Sequence, residues 1–209
     1  MAVHPFASTL IEIRRACAGF ERIVAEHPED LTRAAVGIVL VEMPDGSGEA
    51  GFLLTLRAAS LRAHGGQFAL PGGRIDTDET AVDAVIRESF EELGLVLAPD
   101  DVLAVLDDYP TRSGYAITPL VMRAGPNQTI VPNPDEVSEV HYVALRDITG
   151  DGAAEFVTIA ESDRPVVRLR INGTHLHSPT AAMLFQFTEL LAGRTTRVTD
   201  FDDPLFAWR

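Results

Sequence analysis

The chain has 209 residues, with 17 Lys and Arg against 31 Asp and Glu, a formal net charge of −14. That balance speaks against a broad nucleic-acid-binding surface. It leaves room for small anionic ligands, because a metal held among carboxylates reverses the local sign. The length suits one domain with extensions, and the single Cys17 cannot form an internal bridge and fits a reducing compartment. No apolar run reaches membrane-spanning length and no basic segment leads into an apolar core at the N-terminus, so a cytoplasmic protein without a membrane partner is expected.

Residues 6–27 read as a helix, with Leu10, Ile13, Phe20 and Ile23 among its apolar positions and Pro28 after it. It precedes the rest of the fold and is expected to be an added N-terminal helix, packed on the sheet or on a second copy in a homodimer. Residues 34–43 form a β-rich apolar run, Pro44-Asp45-Gly46-Ser47-Gly48 is a turn cluster, and residues 51–57 read as the second strand of a hairpin. Within residues 53–73 (LLTLRAASLRAHGGQFALPGG), Arg57, Arg62 and His64 gather three cation-capable groups in a chain short of positive charge. The arginine fork suits bidentate phosphate binding, or the pair neutralises nearby carboxylates. Pro71-Gly72-Gly73 is a rigid-then-permissive turn whose backbone, free of Cβ atoms, can approach a ligand closely.

Residues 73–95 (GRIDTDETAVDAVIRESFEELGL) combine a helical pattern with a high density of carboxylates. At about 100° per residue, Val82, Ile86, Phe90 and Leu93 fall in one arc and Glu88, Glu91 and Glu92 in the opposite one. Like charges at these spacings repel, and a hard divalent cation with oxygen ligands resolves the repulsion. Thr80 with Asp83 predicts a capping box, and Gly94 a left-handed helix end. If helical, Glu79 would lie on the far side of the wheel from Glu88, so it is expected to bend in from the preceding loop, held by Arg87 as an organiser.

Gly73, Glu79, Arg87, Glu88, Glu91, Glu92 and Gly94, at their spacings, resemble the signature of the Nudix hydrolases. The resemblance implies a mixed β-sheet between helices in an α/β/α sandwich of the α/β class. It also implies Mg²⁺ or Mn²⁺ held by Glu88, Glu91, Glu92 and the Gly73 carbonyl, and cleavage of a diphosphate joining a nucleoside to another group. Ser89 stands where the family favours an aliphatic residue; its hydroxyl is expected to bond back to the Val85 carbonyl. Upstream, Leu53, Leu54, Thr55, Arg57, Ala58, Arg62, Gly66, Pro71, Gly72 and Gly73 resemble the coenzyme A diphosphatase branch, with Leu70 in place of a phenylalanine. That branch implies coenzyme A or its thioesters as substrate, with Arg57, Arg62, His64 and Gly72 as candidate contacts.

Residues 102–108, 115–122 and 137–145 read as strands. Glu136 and Glu139 precede or open the last of these and are candidates to approach the metal; Glu91 or Glu136 is the candidate base. Residues 153–159 and 166–171 read as a further strand pair, and 179–191 as a closing helix with Ser178 as N-cap. His175 and His177 share a face if extended and are expected to pack or touch substrate, since no third ligand completes a zinc site. The expected division is an N-terminal extension (1–33), the Nudix hydrolase domain (34–193) and a tail (194–209), docked elsewhere or loose. The competing readings are a Nudix hydrolase of ADP-ribose or NADH, and a catalytically silent ligand-binding module.

Overall fold

The structure, a computed structural model, describes residues 4–26, 30–60, 65–126, 128–171 and 173–204. Strand β1 (Thr32–Glu42) sets its plan, because alternate side chains enter two different cores. Ala35, Val39 and Val41 pack with Ala84, Val85 and Leu93 of helix α2 (Ala81–Leu93). Ile38 and Leu40 point the other way, toward Ile13 of α1 (Phe6–Cys17) and Met183, Leu184 and Phe187 at the C-terminal end of the chain. The sheet is therefore sandwiched between helices, as the α/β class implied.

On one edge, β1 runs parallel to β7 (Tyr115–Arg123), from Thr32 opposite Tyr115 to Leu40 opposite Arg123. Beyond β7 lie β5 (Val102–Val105) and β6 (Tyr109–Pro110), both antiparallel to it. The other edge splits. Strand β2 (Ala50–Arg57) pairs with β1 only at Leu40–Glu42, and the two then diverge. The gap holds β3 (Phe68–Ala69), paired with β2, and β4 (Gly72–Arg74), paired with β1. β8 (Val137–Ala144) covers the outer edge of β2 and leads into the short α3 (Leu145–Thr149). The split thus places the Pro71-Gly72-Gly73 turn beside the middle of the central strand, where the Gly37 N–H donates to the Pro71 carbonyl at 2.8 Å.

A second, antiparallel sheet is formed by β9 (Ala154–Ile159), β10 (Ser162–Ile171) and β11 (Thr174–His177), and α4 (Thr180–Leu191) follows. His175 and His177 stand on β11. Ser178 is not the N-cap of α4. Its hydroxyl bonds the Val167 backbone at 3.2 Å, tying the helix entry to β10.

Two expectations fail because partners distant in sequence hold these segments in place. The first helix ends at Cys17, not at residue 27. Asp107 and Asp108 accept the N–H groups of Ile23 and Ala25 at 2.7 and 3.1 Å, and the Asp108 N–H donates to the Ile23 carbonyl. These bonds hold the segment extended. The described part of the tail is neither loose nor docked elsewhere. Val198 and Phe201 enter the α4-side core, and Asp202 joins the Arg112 guanidinium at 2.7 Å. Among the described residues no helix is long and apolar enough to cross a membrane.

The ends of α2 are as expected: Thr80 and Asp83 form a reciprocal capping box, and Gly94 is left-handed at φ 64°. Its buried face is not. Phe90 is 60% exposed, whereas Ser89 is fully buried and Glu92 only 3% exposed. The Ser89 hydroxyl does not bond Val85 and has no hydrogen-bond partner among the described residues. An unpaired buried hydroxyl costs about 1–3 kcal/mol. Ser89→Ala is therefore expected to raise the melting temperature by a few degrees. A fall in thermal unfolding would show that the hydroxyl has a partner worth keeping.

Candidate active site

The site is assembled around Arg87, which donates to four residues. Its Nε and Nη2 clamp the two oxygens of Glu79 at 2.8 and 3.0 Å, and Nη2 also donates to the Arg74 carbonyl at 3.0 Å. Its Nη1 donates to Glu88 Oε1 at 2.8 Å and to Glu91 Oε2 at 3.3 Å. Glu79 does come in from the loop before α2, where it also accepts the Asp76 N–H. The Arg87 clamp holds its carboxyl down at about 2. One guanidinium thus fixes the loop, the β4 backbone and the rim of the acidic helix relative to one another.

Glu92 is the buried member. Loss of hydration pushes its carboxyl up to about 8, against the opposing pull of the Gly72 N–H at 3.3 Å and Arg57 Nη1 at 3.7 Å. Burial also raises Glu88, with Arg87 opposing. Gly73 lies directly against Glu88: a Cβ at that position would stand 2.2 Å from Glu88 Oε1. Gly72 is at φ 147°, where a Cβ would meet the Ala35 carbonyl oxygen at 2.2 Å.

Glu136 completes the group by way of the helix end. The last carbonyls of α2 need donors, and the loop before β8 supplies them: Val131 N–H to Leu93 and Asn133 N–H to Glu92, at 2.8 and 2.9 Å. A turn at Asn133 then presents Glu136, so that one oxygen each of Glu88, Glu92 and Glu136 lie within 4.8 Å of one another. Glu91 stands outside this set, its side chain half exposed on the Arg87 flank. Glu139 lies on β8, paired with His141 at 3.0 Å.

This donor set suits a divalent ion. All three carboxylates offer hard oxygens, burial raises the pKa of Glu88 and Glu92 so that a cation beside them would be favoured, and Gly73 sets no side chain between its backbone and Glu88. Metal–oxygen distances of about 2.1 Å would hold such atoms up to about 4.2 Å apart, so a small closure of the carboxylates suffices.

The turn also borders a cavity of about 640 Å³ on the α4 side of the sheet. Arg57, Phe68, Gly72, Gly73, Tyr115 and His175 are among its lining. Arg57 Nε is buried there without a hydrogen-bond partner among the described residues. Arg62 and His64 lie outside the described residues. Arg74 and Tyr115, bonded at 2.7 Å across β4 and β7, and the buried Asp203 carried no sequence signal. Strand pairing and tail packing bring them to the cavity.

A mixed sheet between helices, with a glutamate-rich loop–helix–loop docked at its split edge, is the architecture of the Nudix fold. Residues 31–168 match the NUDIX domain family, and the chain belongs to it. Over 116 residues it is 38% identical to a protein named uncharacterized Nudix hydrolase NudL from Cronobacter sakazakii, covering 55% of this chain and 58% of that one. The protein of the same name from Escherichia coli K12 is 39% identical over 114 residues, 54% of this chain and 57% of its own. The chain thus spans a little under three fifths of the length of these curated relatives. Among solved structures, a MutT/nudix family protein from Enterococcus faecalis is 18% identical, with a TM-score of 0.47 over 82% of this chain and 66% of that one.

Proposed function

We propose that this chain is a divalent-metal-dependent hydrolase of the diphosphate in coenzyme A or its thioesters. The products would be 4′-phosphopantetheine, or its acyl form, and adenosine 3′,5′-bisphosphate. The observation that carries hydrolysis is the grouping of Glu88, Glu92 and Glu136, the first two set against the Gly72–Gly73 turn that borders a cavity of substrate size. Coenzyme A is supported by the pattern of residues 53–73 and by Arg57, which places a guanidinium in the cavity wall.

Glu88, Glu92 and the Gly73 carbonyl are the proposed ligands of Mg²⁺ or Mn²⁺. When bound, such an ion neutralises diphosphate oxygens and lowers the pKa of an attacking water. Arg87 fixes the Glu88 carboxylate and the loop through Glu79. Arg57 meets a phosphate oxygen with its uncommitted donors. Glu136 takes the proton of the attacking water: it faces Glu88 and Glu92 across the site, and Asn133 Nδ2 lies 3.5 Å from its Oε1. Glu91, on the Arg87 flank, tunes the charge around that clamp.

Incubation with coenzyme A, ADP-ribose and NADH in Mg²⁺ or Mn²⁺ tests the reading. Adenosine 3′,5′-bisphosphate should be released, with kcat/KM for coenzyme A at least tenfold above that for ADP-ribose. Preference for ADP-ribose would move the substrate to another nucleoside diphosphate. Ligand binding without any phosphate product under either metal would make the chain a binding module.

A further inference from the structure

The cavity wall has two origins. Gly72, Gly73 and Tyr115 belong to the family-matched segment, whereas Leu176, Met183 and Asp203 lie beyond residue 168. Burial sorts the lining by depth. Leu70, Leu176 and Met183 are almost wholly buried and form an apolar floor, together with Ser178 and Asp203; Ser113 and His175 stand at the exposed rim. The most buried part of the lining therefore combines apolar side chains with one hydroxyl and one carboxylate.

That carboxylate has capacity to spare. A carboxylate offers about four acceptor sites. The Tyr109 hydroxyl donates to Asp203 Oδ1 at 2.8 Å and the Arg112 backbone N–H to Oδ2 at 3.2 Å, both neutral donors. The Arg112 guanidinium grips the neighbouring Asp202, with Arg164 Nη2 at 3.3 Å from the same carboxylate, and its charge also draws the Asp203 carboxyl down against the effect of burial. The tail thus buries two adjacent carboxylates, one held by arginines and the other part of the cavity lining. Burial raises the Asp203 carboxyl, a cost that holding the Tyr109 hydroxyl does not require, since a neutral acceptor would serve.

We propose that the deep end of the cavity is a base subsite in which Asp203 accepts the exocyclic amino group of adenine, making the C-terminal tail a specificity element. This rests on the reading of the chain as a hydrolase of an adenine-bearing diphosphate. A flat base covers the apolar floor and brings the N–H donors that the carboxylate calls for. An aliphatic chain would lay methylenes on a buried carboxylate, and hypoxanthine would turn a carbonyl oxygen toward it, leaving both acceptors unsatisfied.

The test compares adenosine 3′,5′-bisphosphate with its inosine counterpart by equilibrium binding, and coenzyme A with its hypoxanthine form by turnover. The wild-type protein should favour adenine at least tenfold in both. Asp203→Asn should shrink that ratio to within about threefold, whereas Tyr109→Phe, which removes only the hydroxyl, should keep it. Equal binding of the two nucleotides by the wild type would overturn the proposal, as would an Asp203→Asn variant weakened equally toward both. The wild-type ratio decides the matter even if the Asn variant fails to fold. Binding discrimination without turnover would instead count against the hydrolase reading and leave the subsite standing.

Discussion

Glu92→Gln is expected to abolish most metal-dependent turnover while making the metal-free protein more stable at alkaline pH. Loss of one carboxylate of the proposed metal set should cost roughly 10²–10³-fold in kcat, the equivalent of several kcal/mol of transition-state stabilisation. The stability effect follows from burial. Glu92 is 3% exposed, and its carboxyl is pushed up to about 8 in the folded chain from an ordinary 4.5. A raised acid means that the folded state holds the proton more tightly than the unfolded one. Its contribution is fully present below about pH 4.5 and is lost as pH rises through about 8. At pH 9 the wild type carries a buried anion; glutamine carries none and keeps an oxygen for the Gly72 N–H. The variant should then be more stable by on the order of a few kcal/mol, a gain that shrinks toward pH 5. Mg²⁺ should raise the melting temperature of the wild type at pH 9 and leave the variant nearly unmoved. Thermal unfolding at pH 5 and 9, in EDTA and in Mg²⁺, reads all four corners. A variant less stable than wild type at pH 9 in EDTA would show that Arg57 and the Gly72 N–H outweigh the cost of burial.

This conflict between stability and site explains what the sequence could and could not convey. The capping box at Thr80, the left-handed Gly94 and the Glu79–Arg87 clamp were readable because each spans only a few residues and follows from local geometry. The helical wheel failed at Phe90 and Glu92, because it ranked side chains by hydrophobicity. In the fold, α2 turns Glu92 inward against the Gly72 N–H and Arg57, while Glu91 stays half exposed and Phe90 is left in solvent. Sequence alone also could not choose between Glu136 and Glu139. That choice is made by the bonds from Val131 and Asn133 to the end of α2, which set the phase of the following turn. Nor could it foresee that Asp107 and Asp108 would unwind residues 20–26, since those partners lie more than eighty positions away.

Alanine at Gly72 and at Gly73 should separate scaffold from site although the residues are neighbours. At Gly72 the backbone itself is special: φ is 147°, and a Cβ would stand 2.2 Å from the Ala35 carbonyl oxygen and 2.7 Å from the Val36 Cα. Both obstacles are backbone of the central strand, and Gly72 is paired with Val36 in the ladder between β1 and β4. Relief requires breaking that pairing, so Gly72→Ala is expected to cost about 3 kcal/mol or more and to lower the melting temperature by roughly 10 °C. At Gly73 the obstacle is only the end of a side chain, Glu88 Oε1 at 2.2 Å, which can rotate away. Gly73→Ala should therefore fold with a loss of about 1 kcal/mol. Rotation, however, takes Glu88 out of reach of Glu92 and Glu136 and off Arg87 Nη1. Calorimetric titration should show Mn²⁺ affinity falling by at least tenfold in the Gly73 variant, with circular dichroism unchanged. Wild-type affinity there would remove Glu88 and the Gly73 carbonyl from the proposed ligand set, whereas a matching collapse of both variants would mean that the turn acts as one structural unit. Because the two clashes differ in kind, backbone against side chain, only the first is expected to reach the fold.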